Sequence, residues 1–382
     1  MSQKVRFAIV GAGGMGRTNA TRILDDGRGE IVAVCDANEE TAKQAAADFH
    51  VSAVFSDVEV LLSSKTKFEA AVVATTNATH APISVALLEA GKSVYCEKPP
   101  ASDVAGAENV AATARNSKGV FMFGFNQRFD PWAQYVKRMV EAGELGTIYH
   151  AQTQWLRRLW TRTFGTWFTD RQLSGGGPLL DIGIHRLDQT LWLMGFPEVL
   201  SVSGVAYDYL SKAESGRIEK ACTIEDFSAC LIRLEGGASL ILQSSYLSYL
   251  PLDVAEMSTL VMGTECGFLE CGGVLRHMSN EGPSPSDTLI KQFDVPPVTP
   301  MGSFLDCVLN GDPSICTAEQ GLTVMQVIDA IYRSAVSRKE VVLSGRESDS
   351  IGMSISDFRN VIRAARVEGV EAMRDADEGS GS

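Results

Sequence analysis

Val5-Arg6-Phe7-Ala8-Ile9-Val10-Gly11-Ala12-Gly13-Gly14-Met15-Gly16 is an apolar run broken by glycines. Strand character stops at Gly11, which permits a tight turn. Gly13 lets backbone approach a pyrophosphate, and Gly16 lets the next helix pack on the sheet. Backbone N–H groups at the start of that helix, which runs from Gly14 to about Asp25, then meet the phosphates. About 20 residues past Gly16, the spacing a ribose-binding acid requires, the strand Ile31 to Cys35 delivers Asp36. The spacing predicts an NAD site built from Gly11, Ala12, Gly13, Gly14, Met15, Gly16 and Asp36. NADP would want a cation near the 2′-phosphate, whereas Ala37-Asn38-Glu39-Glu40 follows Asp36.

Outward from this turn, strands and helices alternate. A helix is expected over Glu39 to Phe49 and strands over Ala70 to Ala74, Ser93 to Cys96 and Val120 to Phe123, the alternation of a doubly wound parallel sheet. Past Arg128 and a helix carrying Trp132 to Val140, the pattern turns to long alternating runs. They lie at Thr147 to Thr153, Val199 to Tyr207, Phe227 to Leu234, Ala238 to Tyr246 and Ser258 to Val261, and they read as a mainly antiparallel sheet. A sheet covered by helices on one face leaves the other for solvent or for a second copy. Between Glu281 and Pro300 a Pro- and Ser-rich loop with an edge strand is expected, then helices near Gly302 to Leu309 and over Ala318 to Ser337. The apolar residues of the last helix recur at core spacing. The division expected is residues 1–125, 126–345, and an extension over 346–382 with a low-complexity end.

At 382 residues and 45% hydrophobic content the chain can bury two cores. A net charge of −13 and a pI near 5.0 repel nucleic acid and anionic membrane surfaces. No apolar stretch reaches the length of a membrane span, and Met1-Ser2-Gln3-Lys4 leads into the first strand without a secretory-signal pattern. The 8 cysteines have no metal-ligand spacing. A cytoplasmic chain with reduced thiols and no metal is expected.

Ligands of an open parallel sheet bind beyond the carboxyl ends of its strands, so the residues just after each strand are the ones to weigh. After Ala74 comes Thr75-Thr76-Asn77-Ala78-Thr79-His80, a cofactor lining or, at Thr76 or Asn77, a helix cap. After Cys96 comes Glu97-Lys98-Pro99-Pro100, where Lys98 is either a solvated cation or an ammonium tuned for proton transfer or alkoxide stabilisation. A cis Lys98-Pro99 bond is one expectation. In Gly175-Gly176-Gly177-Pro178-Leu179-Leu180-Asp181-Ile182-Gly183-Ile184-His185-Arg186-Leu187-Asp188, helical spacing puts Leu180, Ile184, Leu187 and Leu191 on one stripe. Asp181, His185 and Asp188 fall on the next. The pairing suggests a base near neutrality beside its orienting carboxylate, or else a first-turn Asp above a core His. Trp155 to Trp167 offers ring platforms and cations, with Arg128, Arg157, Arg158, Trp160 and Trp167 as candidates for substrate or structure.

These motifs together resemble the glucose-fructose oxidoreductase, inositol dehydrogenase and rhizopine-catabolism (Gfo/Idh/MocA) family, over roughly Lys4 to Leu343. The resemblance implies a Rossmann domain and an α/β domain with an open antiparallel sheet, assembled into a homodimer or homotetramer. It implies catalysis by Lys98, Asp181 and His185. A cofactor lining of the glycine turn, Asp36, Thr75, Thr76, Asn77, His80, Glu97 and Lys98 completes the expected NAD site. The activity it implies is oxidation of a ring hydroxyl of a cyclitol or sugar by NAD. Some relatives instead hydrolyse glycosides with transient redox, and others bind NAD as regulators; the intact set of three speaks for an enzyme.

Overall fold

The computed structural model describes residues 4–280 and 285–344. The tail expected over 346–382 and the Gly282-Pro283-Ser284 part of the loop lie outside the described residues. Six strands form the first sheet: β1 (Val5–Val10), β2 (Gly29–Cys35), β3 (Val54–Phe55), β4 (Ala70–Val73), β5 (Ser93–Cys96) and β6 (Phe121–Phe123). Their order is β3-β2-β1-β4-β5-β6, parallel throughout. Every residue of β4 and β5 is buried, as a strand covered on both faces requires. Register aligns Val10 with Cys35 and Val73, Val73 with Cys96, and Cys96 with Phe123. The glycine turn, Asp36, Ala74, Glu97 and Gly124 therefore share one edge, and the strand order reverses at β1, where such sheets bind ligands.

The second sheet holds β7 (Ile148–Leu156), β8 (Val199–Tyr207), β9 (Phe227–Leu234), β10 (Ser239–Ser245), β11 (Met257–Gly263), β12 (Cys266–Cys271), β13 (Val274–Ser279), β14 (Ser286–Ile290) and β15 (Val341–Val342). It is ordered β14-β13-β12-β11-β7-β10-β9-β8-β15. All its pairs are antiparallel except β7 with β10, which run parallel. That pair sets Trp155 opposite Ser244 and Leu156 opposite Ser245, so the segments that leave both strands emerge side by side, bridged by Leu159 and Leu247. Leu240, Leu242 and Ser244 of β10 are fully buried and face the helical turn Leu179–Gly183.

The two sheets are tied by the carboxyl-terminal helices. Ala318–Ser337 lies against β8 and also against the helix Val104–Asn116 of the first layer. Pro300–Asn310 returns to the parallel sheet, where the Phe304 ring meets Phe7 at 6.1 Å and Tyr95 at 5.7 Å. Among the described residues, no helix is long and apolar enough to cross a membrane.

Candidate active site

The glycine turn has the shape a dinucleotide needs. Gly11 has φ +88°, and a Cβ there would press on the Ala74 carbonyl; one on Gly16 would overlap the Gly11 carbonyl oxygen. Only glycine fits either position. Gly13 and Gly14 are exposed and face open space. They begin the helix Gly14–Asp26, whose first turn has no side-chain cap and no acidic residue, so its N–H groups are left for an anion. Asp36 spans the mouth, accepting from the Ala12 N–H at 2.7 Å and the Asn38 N–H at 2.8 Å. Met15 is exposed beside the turn. The residues present fit NAD.

Three expected cofactor residues brace the crevice instead of facing it. Asn77 donates from Nδ2 to the Ser174 carbonyl at 2.8 Å, tying the helix Asn77–Glu89 to the segment that precedes Asp181. His80 is buried, with Nδ1 2.8 Å from the Pro99 carbonyl and Nε2 3.2 Å from that of Thr75. Burial lowers its pKa, and in the neutral ring one nitrogen donates to one of these two carbonyls while the other carbonyl only packs against the ring. Glu97 is buried and accepts from Asn19 Nδ2 at 2.8 Å, with burial pushing its pKa up. Thr75 and Thr76 stay partly exposed, with Thr79 Oγ1 donating to the Thr76 carbonyl at 2.9 Å and lying 2.8 Å from Thr75 Oγ1. The helix does start after Thr76, whose side chain makes no cap bond.

The Lys98-Pro99 bond is cis. Lys98 Nζ donates to Asp181 Oδ1 at 2.6 Å and to the Asp181 carbonyl at 2.9 Å. Tyr246 Oη donates to Asp181 Oδ2 at 2.6 Å. Burial pushes the Asp181 carboxyl up, but the Lys98 ammonium and the Tyr246 hydroxyl outweigh it, leaving a pKa of about 2. His185 is not bonded to Asp181. Its ring packs against Trp155, centroids 6.0 Å apart, and its buried Nδ1 has no partner. Burial, then the Lys98 charge, take the imidazole down to about 3 against an opposing Asp181. The expectation of a base near neutrality oriented by Asp181 is corrected accordingly: Lys98 and Tyr246 occupy both carboxylate oxygens, and the imidazole is firmly neutral.

The local chain path explains this. Asp181 lies in a π-helical turn, Leu179–Gly183, that leads into the α-helix Ile184–Leu193. The buried Glu225 carboxylate receives the N–H groups of Gly177 (2.9 Å) and Leu179 (3.2 Å) and the Tyr332 hydroxyl (2.8 Å). An acid at the first turn answers orphan donors and the helix dipole together. Asp188 does not share the Asp181–His185 cluster; it turns to Arg128.

Arg128 is fully buried. Nε donates to Asp188 Oδ2 at 2.8 Å, Nη2 to Asp188 Oδ1 at 2.5 Å, and Nη1 to Gln320 Oε1 at 2.7 Å and to the Ile315 carbonyl. Its donors are engaged in the fold, which fits the structural one of the two roles weighed for it. Arg158 is engaged in the same way: it pairs with Glu256 at 2.9 Å and donates to the carbonyls of Leu250, Pro251 and Val254. Trp160 has no ring face left for a sugar. The guanidinium carbons of Arg157 and Arg162 stand 3.6 and 3.5 Å from its centroid, so close that they must take opposite faces. Trp167 stacks on Phe168 at 4.0 Å and lines an open cavity of about 890 Å³ with Thr166, Asp170, Arg171 and Gln172.

Sequence reasoning missed Tyr246 and Glu225. The alternation Leu240, Leu242, Ser244, Tyr246, all buried, was the available signal for the tyrosine, since period two puts the phenol on the helix-facing side of β10. Among the described residues, no three His, Cys, Asp or Glu side chains gather as a metal would need, and no disulfide joins any of the cysteines.

Comparison with known proteins agrees with this geometry. A family model described as "Oxidoreductase family, NAD-binding Rossmann fold" matches residues 5–125, and one described as "GFO/IDH/MocA C-terminal domain" matches residues 133–268. The chain is 31% identical over 353 residues to the D-glucoside 3-dehydrogenase of Escherichia coli (strain K12), covering 90% of this chain and 98% of that protein. It is 23% identical over 343 residues to the inositol 2-dehydrogenase of Rhizobium meliloti (strain 1021), covering 89% and 99%. Among solved structures, levoglucosan dehydrogenase in complex with NADH superposes with a TM-score of 0.78 at 20% identity, covering 90% of this chain and all of that one.

Proposed function

The chain belongs to the GFO/IDH/MocA oxidoreductases, with an NAD-binding Rossmann domain at its amino-terminal end, and we propose that it oxidises a ring hydroxyl of a sugar or cyclitol. The observation that carries this reading is the Lys98–Asp181–Tyr246 network beside an imidazole that burial keeps neutral. The names of the relatives, a glucoside and an inositol dehydrogenase, support the substrate class.

Bound NAD supplies the hydride acceptor. The chain's own residues manage the proton and the charge. An ammonium has three donors; Lys98 commits two to Asp181, and the third is free to hold the substrate oxygen as it gains alkoxide character. Neutral His185 takes the hydroxyl proton at Nε2, the ring nitrogen other than the buried, unpartnered Nδ1. The C–H bond gives up its hydride, the C–O bond becomes a carbonyl, and the positive charge comes to rest on the imidazole. Asp181 offsets that charge, and its own ionised state is held by Lys98 and Tyr246. A homodimer or homotetramer on the open face of the second sheet belongs to the same proposal, supported by the exposed Val205 and Tyr207 on β8.

The test follows NADH at its absorbance band with a panel of inositols, aldoses and glycosides, alongside NADP. Turnover with NAD is expected, and His185→Ala and Lys98→Ala should abolish it while NAD still raises the melting temperature. Normal turnover by those variants would overturn the assigned roles. Free sugar released from an aryl glycoside without NADH would make the chain a glycosidase.

A further inference from the structure

A ladder of rings and cations leads away from His185. Trp155 packs on the imidazole, the Arg157 guanidinium carbon lies 5.1 Å from the Trp155 centroid and 3.6 Å from that of Trp160, and Arg162 covers the other face of Trp160. The Arg158 between them is spent on Glu256 and the carbonyls of residues 250–254. Arg157 and Arg162 are not: among the described residues neither guanidinium has a carboxylate partner, and Arg157 Nη1 is buried with no acceptor. A buried charged donor left so costs more than a neutral one, and two cations sharing one indole repel each other. Asp181 attracts Arg157 across space but does not bond it, its oxygens accepting from Lys98 and Tyr246 instead. In a chain of net charge −13, the flank of the site nearest His185 is left positive.

We propose that the Arg157–Trp160–Arg162 stack is an anion subsite, and that the substrate is a sugar or cyclitol bearing a carboxylate or phosphate group. The proposal rests on the dehydrogenase reading and narrows its substrate. A guanidinium presents a planar fork of donors that suits carboxylate and phosphate oxygens alike. Laid against indole rings, Arg157 and Arg162 are held in place before the ligand arrives, so less side-chain freedom is lost on binding. An anion at the edge of the indole, beside both guanidinium forks, would give Nη1 an acceptor and offset the repulsion, while a hydroxyl of the same ring reaches His185. The stack also explains why Trp160 offers no platform of its own.

The experiment measures kcat/KM of the NAD-loaded enzyme for D-glucose, D-glucuronate and D-glucose 6-phosphate, in the parent and in Arg157→Met, Arg157→Lys and Arg162→Met. A charge-assisted contact predicts that one anionic sugar is preferred over glucose by roughly tenfold or more, mainly through KM, and that the preference shrinks with added salt. The two anions tell a carboxylate site from a phosphate site. Arg157→Met should remove the preference and Arg157→Lys restore part of it. A merely structural arginine would lower all three substrates alike and leave their ratio, which would overturn the proposal. Melting curves with each sugar give the second readout. Turnover of glucose with no preference for either anion sinks the subsite and leaves the dehydrogenase standing. Stabilisation by an anionic sugar that Arg157→Met abolishes, with no NADH formed, keeps the subsite and sinks the dehydrogenase.

Discussion

Lys98→Met should cost the folded protein stability as well as activity, by an amount the site geometry sets. The Lys98 and Asp181 side chains are each 19% exposed, and Asp181 titrates at about 2 against an ordinary 3.8. A carboxyl lowered on folding contributes stability that is complete above pH 3.8 and is lost as pH falls through about 2. At about 1.4 kcal/mol per unit, the contribution is roughly 2 kcal/mol at pH 7. That figure is net of burial, which acts the other way and is the largest single influence on the group. Without Lys98 the carboxylate keeps only Tyr246, its pKa climbs above 3.8, and a stabilising charge becomes a destabilising one. The expected loss at pH 7 is therefore roughly 2–4 kcal/mol, somewhat below the about 3–5 kcal/mol for stripping one partner from a fully buried pair, because both side chains keep some exposure. Urea midpoints at pH 7 and pH 4 read it out. The deficit should narrow at pH 4, where the variant's Asp181 takes up a proton, and Lys98→Met/Asp181→Asn should regain most of it. A parent-like midpoint at pH 7, or a deficit identical at both pH values, would refute the reasoning.

The pH profile of kcat/KM tests His185 directly. With the imidazole at about 3 through burial and the Lys98 charge, its base form persists far below neutrality, so the profile should stay flat from pH 8 to pH 5; an acid limb near 6.5 would contradict it. Arg128→Met should destabilise by about 3–5 kcal/mol, since it strands the buried Asp188, and Arg128→Met/Asp188→Leu should recover much of that in urea unfolding. A variant of Arg128 that folds like the parent but raises KM would return it to the substrate.

Sequence legibility followed the range of the forces involved. β1, β5, β8, β9 and the helix Ala318–Ser337 agree with the expected spans residue for residue, because each is an apolar-rich run between clear stops. β3 has two residues, too few for any period to show. β12 and β13 were also missed; their buried positions include Glu270, an acid on the core face beside Arg186, which hides the alternation. The parallel β7–β10 pair was equally illegible, since both strands read the same in either direction. It is this pair that sets Trp155 next to the segment bearing Tyr246.

The structure brings Lys98, Asp181 and His185 together in space but bonds them otherwise than helical spacing suggested, and the reason is geometric. Spacing within one helix reports which side chains share a face, and Asp181 and His185 do influence each other. It says nothing of a lysine arriving from another sheet. Lys98 hangs from β5 and Tyr246 follows β10, so the ionised state of Asp181 depends on two elements far apart in the chain. Asn77, bonded to Ser174, and Arg128, bonded to Asp188, Gln320 and Ile315, hold those elements in register. Both looked like ligand contacts in the sequence because a polar residue at a crevice edge has the same local signature whether it grips a substrate or the opposite wall. What separates the two is whether its donors are already taken, and by that criterion Arg157 and Arg162 are the arginines the proposed subsite draws on while Arg128 and Arg158 are not.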